Sequence, residues 1–392
     1  MSSSYIIAAR RTPIGKLLGQ LSSLPAPKLA AVAIRAALAD SGLAGDQIDE
    51  VILGNVLQAG VGQAPARQAL LAAGLPETIS ALTVNKVCGS GLKAVMLADQ
   101  AIRAGDARAI VAGGMESMSL APHLLPGVRS GWKFGPQTSL DAMVHDGLFC
   151  ATEQRAMGCL ADDTAVSSSV SRAEQDAFAL LSQQLAGQAL EVGLFRAEIA
   201  PVSVKAGKTE TVVDRDEGPR PGVTGADLAK LRPAFGVEGT ATAGNASQIS
   251  DGAAAVIVVD EALAQSAPGP LKARIVASAS ASLAPKDLFI APIAAIRRVL
   301  EKAQLSTQDI DLFELNEAFA SQCLACMKEL QLPPEKVNVR GGAIALGHPI
   351  GCSGARVLVT LLHALHQRGE RRGLASLCLG GGGAVAMVVE LV

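Results

Sequence analysis

The chain has 392 residues but only eight phenylalanines, one tryptophan and one tyrosine. So few rings exclude a base-stacking surface for nucleic acid. The core has to be built from Ala, Val, Leu and Ile instead. Charge is also scarce, at 18% of residues, and it is balanced: 34 Lys and Arg against 36 Asp and Glu, a formal net charge of −2. That balance leaves no electrostatic footprint for nucleic acid. Low charge beside 49% hydrophobic residues also excludes a disordered, solvating chain. No uninterrupted apolar run reaches about 18 residues, so no membrane span is expected. Met1 to Arg11 holds only a short apolar stretch before two arginines, so no secretory leader is expected there. The end, Glu390-Leu391-Val392, is no retention or peroxisomal address. Seven cysteines, an odd number, do not make a disulfide framework in a chain this long. A reducing cytoplasm is the expected compartment. Cys323 and Cys326 have the spacing of a metal pair but lack a second pair, so no metal site is expected.

What the chain does have is length for two or three domains and 40 glycines, which suit tight turns and close backbone approaches. Apolar runs alternate with helical patterns, which argues an α/β class. Residues 51–53, 109–112 and 254–259 read as buried strands. Residues 29–39, 92–103, 174–191 and 355–365 read as helices, the third capped by Ser171 with Glu174 at the capping-box distance. An internal repeat stands out. Ile48-Asp49 leads through an apolar strand to Asn55, and Ile310-Asp311 leads through another to Asn316. Thr83-Val84-Asn85 and Val337-Asn338-Val339 each enter a Gly-rich turn and then a helix. The strand before Gly113-Gly114 resembles the strand before Gly380-Gly381. Three matches in order indicate a duplicated unit. Between the copies, residues 120–244 are less regular, rich in proline and polar loops such as Asp214-Arg215-Asp216-Glu217. This stretch reads as an insertion that grips a ligand.

Four places carry chemistry. Cys88 lies between a strand and a helix, where the helix dipole is expected to lower a thiol pKa toward neutrality. A small packed cysteine is the alternative. His348 sits in a loop bounded by Gly347 and Pro349, with the next helix expected after Gly351–Gly354. It suits a base that reaches a nucleophile, or is a plain exposed loop histidine. Cys378 ends a strand at Gly380-Gly381-Gly382-Gly383, whose N–H groups could form an oxyanion hole or a plain turn. No Lys-Ser or Lys-Thr follows, so a P-loop fails. Asn316 follows a strand that carries Glu314 and could orient a water or cap a helix. His363 and His366 are expected on the solvated side of one helix, and His123 and His145 are isolated.

In these motifs the chain closely resembles the thiolase family: Asn85 through Ala94, Gly113 through Ser119, Leu231 through Phe235, Thr242 through Ser247, Asn316 through Ala320, Gly341 through Gly354 and Cys378 through Gly382. The resemblance covers essentially the whole chain. It implies a duplicated α/β/α core in an α/β/α/β/α layering with an inserted loop domain. The units would be 1–119 with 245–271, then 120–244, then 272–392, and the assembly a homotetramer. It implies reversible Claisen chemistry on coenzyme A thioesters, the default being two acetyl-CoA to acetoacetyl-CoA. Coenzyme A would be substrate and product, with no permanently bound cofactor. By the matched motifs, Cys88 would take the acyl group and His348 would activate it. Cys378 would move the α-proton, and Asn316, through a water, would stabilise the enolate with His348. The N–H groups of Cys88 and Gly380 would hold the acyl-enzyme oxyanion. Arg220 would lie near the nucleotide end and Ser247 on the pantetheine arm, while Leu148, Met157, Leu231, Phe235, Ala243, Ala318 and Phe319 would line the channel. Other cations for the phosphates are scattered, such as Lys205 and Lys208.

The chain departs from the family's short-chain pattern at Ala156, where His is usual, at Leu288-Phe289, where Met-Gly is usual, and at Ala384, where Gly is usual. None removes a catalytic group, but Leu288 and Phe289 reshape a pocket wall, so longer or branched 3-oxoacyl substrates are the alternative. A non-catalytic acyl-CoA-binding protein is a further reading. A decarboxylative condensing enzyme is disfavoured by Cys378.

Overall fold

The computed structural model describes residues 3–207 and 209–392, so Lys208 and the first two residues lie outside it. Nine strands form the main sheet: β1 (Ser4–Arg11), β2 (Glu50–Gly54), β3 (Ser80–Val84), β4 (Ala109–Ser117), β5 (Ser250–Asp260), β6 (Ala273–Ser282), β7 (Leu312–Leu315), β8 (Arg372–Leu379) and β9 (Gly383–Leu391). Their order is β7-β8-β9-β6-β1-β5-β4-β2-β3, with a short tenth strand, Gly15–Lys16, on β5. β2 runs parallel to β3 and β4, and β7 runs parallel to β8; the other pairs are antiparallel. The order is two copies of one four-strand pattern, back to back, with β3 added at the edge of the first. They join through only two residue pairs of β1 and β6, Tyr5 with Arg274 and Ile6 with Ala273. Residues 109–112 of β4 and 253–259 of β5 are apolar without a break because both faces are covered. In β4, Ile110 and Ala112 face one core while Ala109 and Val111 face another.

The helices that matter are α1 (Ala26–Ser41), α2 (Pro65–Ala73), α3 (Ser90–Ala104), α4 (Met157–Ser167), α5 (Arg172–Glu191), α6 (Ala291–Ala303), α7 (Ala320–Leu330) and α8 (Ile350–Arg368). Left-handed glycines Gly42, Gly105 and Gly369 end α1, α3 and α8, as C-caps require. Ser171 accepts from the Glu174 N–H, and Glu174 returns a bond to the Ser171 N–H. The core that holds α3 and α8 takes residues from both half-sheets, so these two helices form the central layer. Helices α1 and α2 cover the outside of the first half, and α6 and α7 cover the second. This is the expected five-layer α/β architecture. No described helix is long and apolar enough to cross a membrane.

The duplication is visible in detail. Asp49 accepts from the N–H groups of Arg108 and Ala109, and Asp311 accepts in the same way from Arg371 and Arg372. One sequence match is out of register. Gly54, just before Asn55, pairs with Gly114, whereas Leu315, just before Asn316, pairs with Ser376. Gly113-Gly114 therefore corresponds to Ala375-Ser376, and β4 runs straight through its glycines instead of turning. Flatness is what those glycines supply, since a Cβ on Gly113 would meet the Ala254 carbonyl at 2.0 Å.

Among the described residues, no strand from 120–244 enters the main sheet; its strands form three separate two-stranded ladders. The acidic run in this stretch is an anchor, not a free polar loop. Asp216 accepts from both terminal nitrogens of the buried Arg11 guanidinium, at 2.6 and 2.8 Å, and from the Ile14 N–H. Glu217 accepts from the Lys16 and Gln20 N–H groups. A buried guanidinium needs such partners to offset its desolvation.

Candidate active site

Cys88 occupies the turn between β3 and α3. Val87 sits at φ 49°, a strained left-handed position for a β-branched residue. Local bonds hold it there: Asn85 Oδ1 accepts from the Val87 N–H at 3.0 Å, and Ser90 Oγ accepts from the Lys86 N–H at 2.8 Å. Two N–H groups, its own and that of Gly380, face the Cys88 sulfur. They favour a thiolate, as does the helix end, but burial dominates and pushes the thiol up to about 12. The expected fall toward neutrality does not occur. Among the described residues, no cation stands beside the sulfur to offset its removal from water.

His348 is buried, with 6% of its surface exposed, so it is not a solvent-facing loop histidine. Its loop is shorter than expected, because α8 starts at Ile350 with Pro349 as N-cap. Gly351–Gly354 thus lie inside the helix. His348 Nδ1 is 2.6 Å from Ser353 Oγ, and Ser353 donates its single hydroxyl proton to the Pro349 carbonyl at 2.9 Å. The imidazole must then donate from Nδ1, which leaves the Nε2 lone pair free. Burial, and second the Arg356 charge, lower the His348 pKa to about 3, so the ring is a neutral base across the physiological range.

Cys378 ends β8, opposite Ala384 on β9, with its thiol pushed well above the ordinary value by burial. The turn between these strands needs glycine at Gly382: φ is 92° and a Cβ would meet the Leu283 carbonyl at 2.5 Å. Asn316 follows β7 and is fully buried. It caps no helix, because α7 starts four residues later with Phe319 as N-cap. Its Nδ2 lies 3.5 Å from His348 Nδ1.

Cys88, His348, Cys378 and Gly380 line one cavity of about 300 Å³. Leu148, Met157, Phe235, Ala243, Ser247, Ala318 and Phe319 line it too, as do Leu288 and Phe289. Phe319 meets Phe289 edge-on at 5.2 Å and Phe235 at 6.1 Å, so three of the few rings in the chain form one wall. Asn316 stands behind His348, off the cavity surface. Leu231 also stays off it, packed with Ala179, Leu228 and Ile344. Arg220 is exposed and belongs to a separate shallow groove beside Gln183 and Gln188. Ala156 lies off the wall, paired with Phe149.

Met118, Ile249 and Ile350 line the cavity but had not been singled out. Ile350 stands two residues after His348, the one signal that pointed to it. His363 is buried, not solvated, and donates from Nε2 to the Ala9 carbonyl at 2.9 Å; His366, His123 and His145 are exposed. Cys323 and Cys326 are packing residues of the second-half core. No cluster of metal-ligating side chains occurs among the described residues.

The chain matches the family descriptions "Thiolase, N-terminal domain" over residues 4–262 and "Thiolase, C-terminal domain" over residues 270–391. It is 52% identical to an acetyl-CoA acetyltransferase of Pseudomonas aeruginosa over 390 residues, 99% of each chain. An acetyl-CoA acetyltransferase of Escherichia coli is 52% identical over 391 residues, covering 100% of this chain and 99% of that one. The crystal structure of the Bacillus anthracis acetyl-CoA acetyltransferase superposes with a TM-score of 0.98 at 41% identity, covering 100% of this chain and 99% of the other.

Proposed function

Since the chain belongs to the thiolase family, we propose that it joins two acetyl-CoA into acetoacetyl-CoA and free coenzyme A, reversibly, through an acyl-Cys88 intermediate. It is an acyltransferase, as its relatives are. The observation that carries the reading is the meeting of two thiols, one imidazole and two convergent N–H groups in a single cavity. A single thiol and base would suffice for simple acyl transfer; a second thiol answers a second proton-handling task.

His348 Nε2 takes the Cys88 proton as sulfur attacks the thioester carbonyl. The carbonyl oxygen becomes negative between the N–H groups of Cys88 and Gly380, which are donors of the kind that lower such barriers. The C–S bond to coenzyme A breaks, and the departing thiolate takes the Cys378 proton. The Cys378 thiolate then removes a methyl proton from the second acetyl-CoA. The enolate oxygen is held by protonated His348 and, through a water, by Asn316. Its carbon attacks the acyl carbonyl, Cys88 leaves as thiolate and recovers its proton from His348. Cys378 keeps the proton taken from the methyl group, so all groups return to their starting state.

Coenzyme A enters as substrate along Leu148, Met157, Phe235, Ala243 and Phe319, with Ser247 beside the pantetheine arm. Arg220 is left to the nucleotide end, near solvent, and Leu231 supports the wall from behind. In this reading 120–244 is the inserted coenzyme A-binding unit between domains 1–119 with 245–271 and 272–392. The protein works in the cytoplasm, in acyl-chain metabolism, as a homotetramer. Exposed Leu125, Trp132 and Phe134 on the insertion support an assembly that would cover them.

A panel of 3-oxoacyl-CoA substrates tests the reading. The wild type is expected to cleave the four-carbon substrate fastest. Phe289 is 2% exposed and braced by Phe319, so Phe289→Ala enlarges the pocket. It is expected to raise the relative kcat/KM for six- and eight-carbon substrates by about 10-fold, consistent with roughly 1–3 kcal/mol per methylene of fit. A wild type that prefers long chains would overturn the acetoacetyl-CoA assignment.

Alkylation gives a separate check. A thiol near 12 beside a neutral imidazole carries little thiolate, so the iodoacetamide reaction at Cys88 is expected to rise steadily from pH 6 to 10 without a plateau. Acetyl-CoA protects the site. A plateau near pH 7, read by mass spectrometry of the Cys88 peptide, would instead indicate a resting thiolate–imidazolium pair.

A further inference from the structure

We infer that Arg356 is a positioning residue for the enolate-forming half of the reaction, acting through Asn316. Arg356 lies on α8 with 1% of its surface exposed. Its Nη2 donates to Asn316 Oδ1 at 3.5 Å, the one hydrogen bond found for this guanidinium among the described residues. Its Nη1 faces Glu314 Oε2 at 3.8 Å, too far for a hydrogen bond. Arg356 Nε and Nη1 and Glu314 Oε2 are all buried and all without a hydrogen-bond partner.

A contact this poorly bonded is a weak source of stability: burial outweighs the attraction of Arg356 and pushes the Glu314 carboxyl up to about 8, so it is largely protonated at neutral pH. Its consequence for Asn316 is specific. An amide can lie in two orientations with nearly the same shape. With the guanidinium on one side, only Oδ1 can face it, since the flipped amide would set NH₂ against N–H. Nδ2 is thereby turned to the His348 side; at 3.5 Å from Nδ1, which already donates to Ser353, it does not bond the ring and keeps its N–H groups for a water. The same charge disfavours a resting imidazolium at His348. Glu314 faces Arg356 from β7 and keeps the guanidinium in place. Burial, the larger cause of the low His348 pKa, remains without Arg356, and neither residue lines the cavity beside the Cys88 and Gly380 N–H groups, so acylation of Cys88 depends on them only weakly.

The inference rests on the reading of Asn316 as an enolate stabiliser. Two rates separate the steps: acylation of Cys88 by acetyl-CoA, followed by intact mass, and exchange of the acetyl-CoA methyl protons in deuterium oxide, followed by NMR. Arg356→Met with Glu314→Leu removes both ionisable groups and leaves no lone buried ion. It is expected to slow exchange by about 10- to 100-fold while acylation changes by less than about 3-fold. Arg356→Lys keeps a cation near Oδ1 and is expected to lose only about 3- to 10-fold, again in exchange alone; it decides the matter if the double variant does not fold. Equal loss of both rates, or unchanged exchange in Arg356→Lys, would overturn the inference. Asn316→Ala is the control: if it leaves exchange intact, the reading of Asn316 fails first, and if it slows exchange while the Arg356 variants do not, only the positioning role fails.

Discussion

Cys88→Ala is expected to lower kcat by about 10⁴-fold or more in both condensation and thiolysis, the scale seen when a covalent nucleophile is removed. The second thiol in the cavity cannot take over. The two convergent N–H groups face the Cys88 sulfur, so a tetrahedral oxyanion formed on Cys378 would lack its donors. Loss of one such donor alone costs roughly 3 kcal/mol. The substitution takes away one sulfur at a half-buried turn whose bonds run through Asn85, Ser90 and Val87. The fold should therefore persist, with unfolding free energy changed by about 1 kcal/mol, and coenzyme A thioesters should still bind. Steady-state rates with intact-protein mass after mixing with acetyl-CoA check this. An acyl adduct on the variant, or activity within tenfold of wild type, would remove Cys88 from the mechanism.

The second large effect is selective. Cys378→Ala is expected to reduce condensation by about 10²–10⁴-fold, the contribution of a placed acid–base group, while acylation of Cys88 slows by no more than about tenfold. The acyl-enzyme should accumulate instead of turning over. Cys378 packs against Leu288 and Phe289 at the end of β8, and alanine leaves only a sulfur-sized gap there. Rapid mixing with acetyl-CoA, with acyl-enzyme and acetoacetyl-CoA measured together, separates the steps. Equal loss of both would remove the separate role of Cys378 as the base for the methyl proton.

Much of the architecture was legible because the apolar runs are long and the punctuation is strong. Strand 254–259 and helix 92–103 are bounded by polar residues and glycines that leave little choice, and the Ser171–Glu174 cap formed as its spacing predicts. The Asp49/Asp311 and Asn55/Asn316 pairs revealed the duplication because both copies kept the residues, and at the two aspartates the same bonds as well. Where reading failed, the deciding partner was far away in sequence. Gly113-Gly114 looked like the start of a turn because the flatness it serves is set by Ala254 on β5. His363 looked solvated because its partner, the Ala9 carbonyl, is 354 residues distant. The direction of the Cys88 shift was misread because the helix end is local and visible, while burial comes from residues distant in sequence, Val56, Met118 and Ile350 among them. Ser353 and Arg356 carried no signal at all, since each acquires meaning only through the side chain it touches. Cys88, His348, Cys378 and Gly380 were each legible from glycine-rich surroundings; that they share one site was implied by the family resemblance and not by their spacing in the chain.

The crossing of the two central helices has a consequence for how this protein tolerates change. A Cβ on Gly91 would lie 2.7 Å from the Ala355 nitrogen, and one on Gly354 would lie 2.3 Å from the Leu92 nitrogen. Each helix thus reserves its space for the other's backbone, within a few residues of Cys88 on one side and His348 on the other. Displacing reacting groups by 1 Å can cost about 100-fold in rate. Substitution to alanine at these two glycines should thus be among the most damaging in the chain, although neither touches substrate. A map of permitted variation would show two kinds of forbidden ground: the reactive groups themselves, and a seam of small residues that sets their spacing. The apolar wall between them, Leu288 and Phe289 included, is where sequence can drift and substrate range with it.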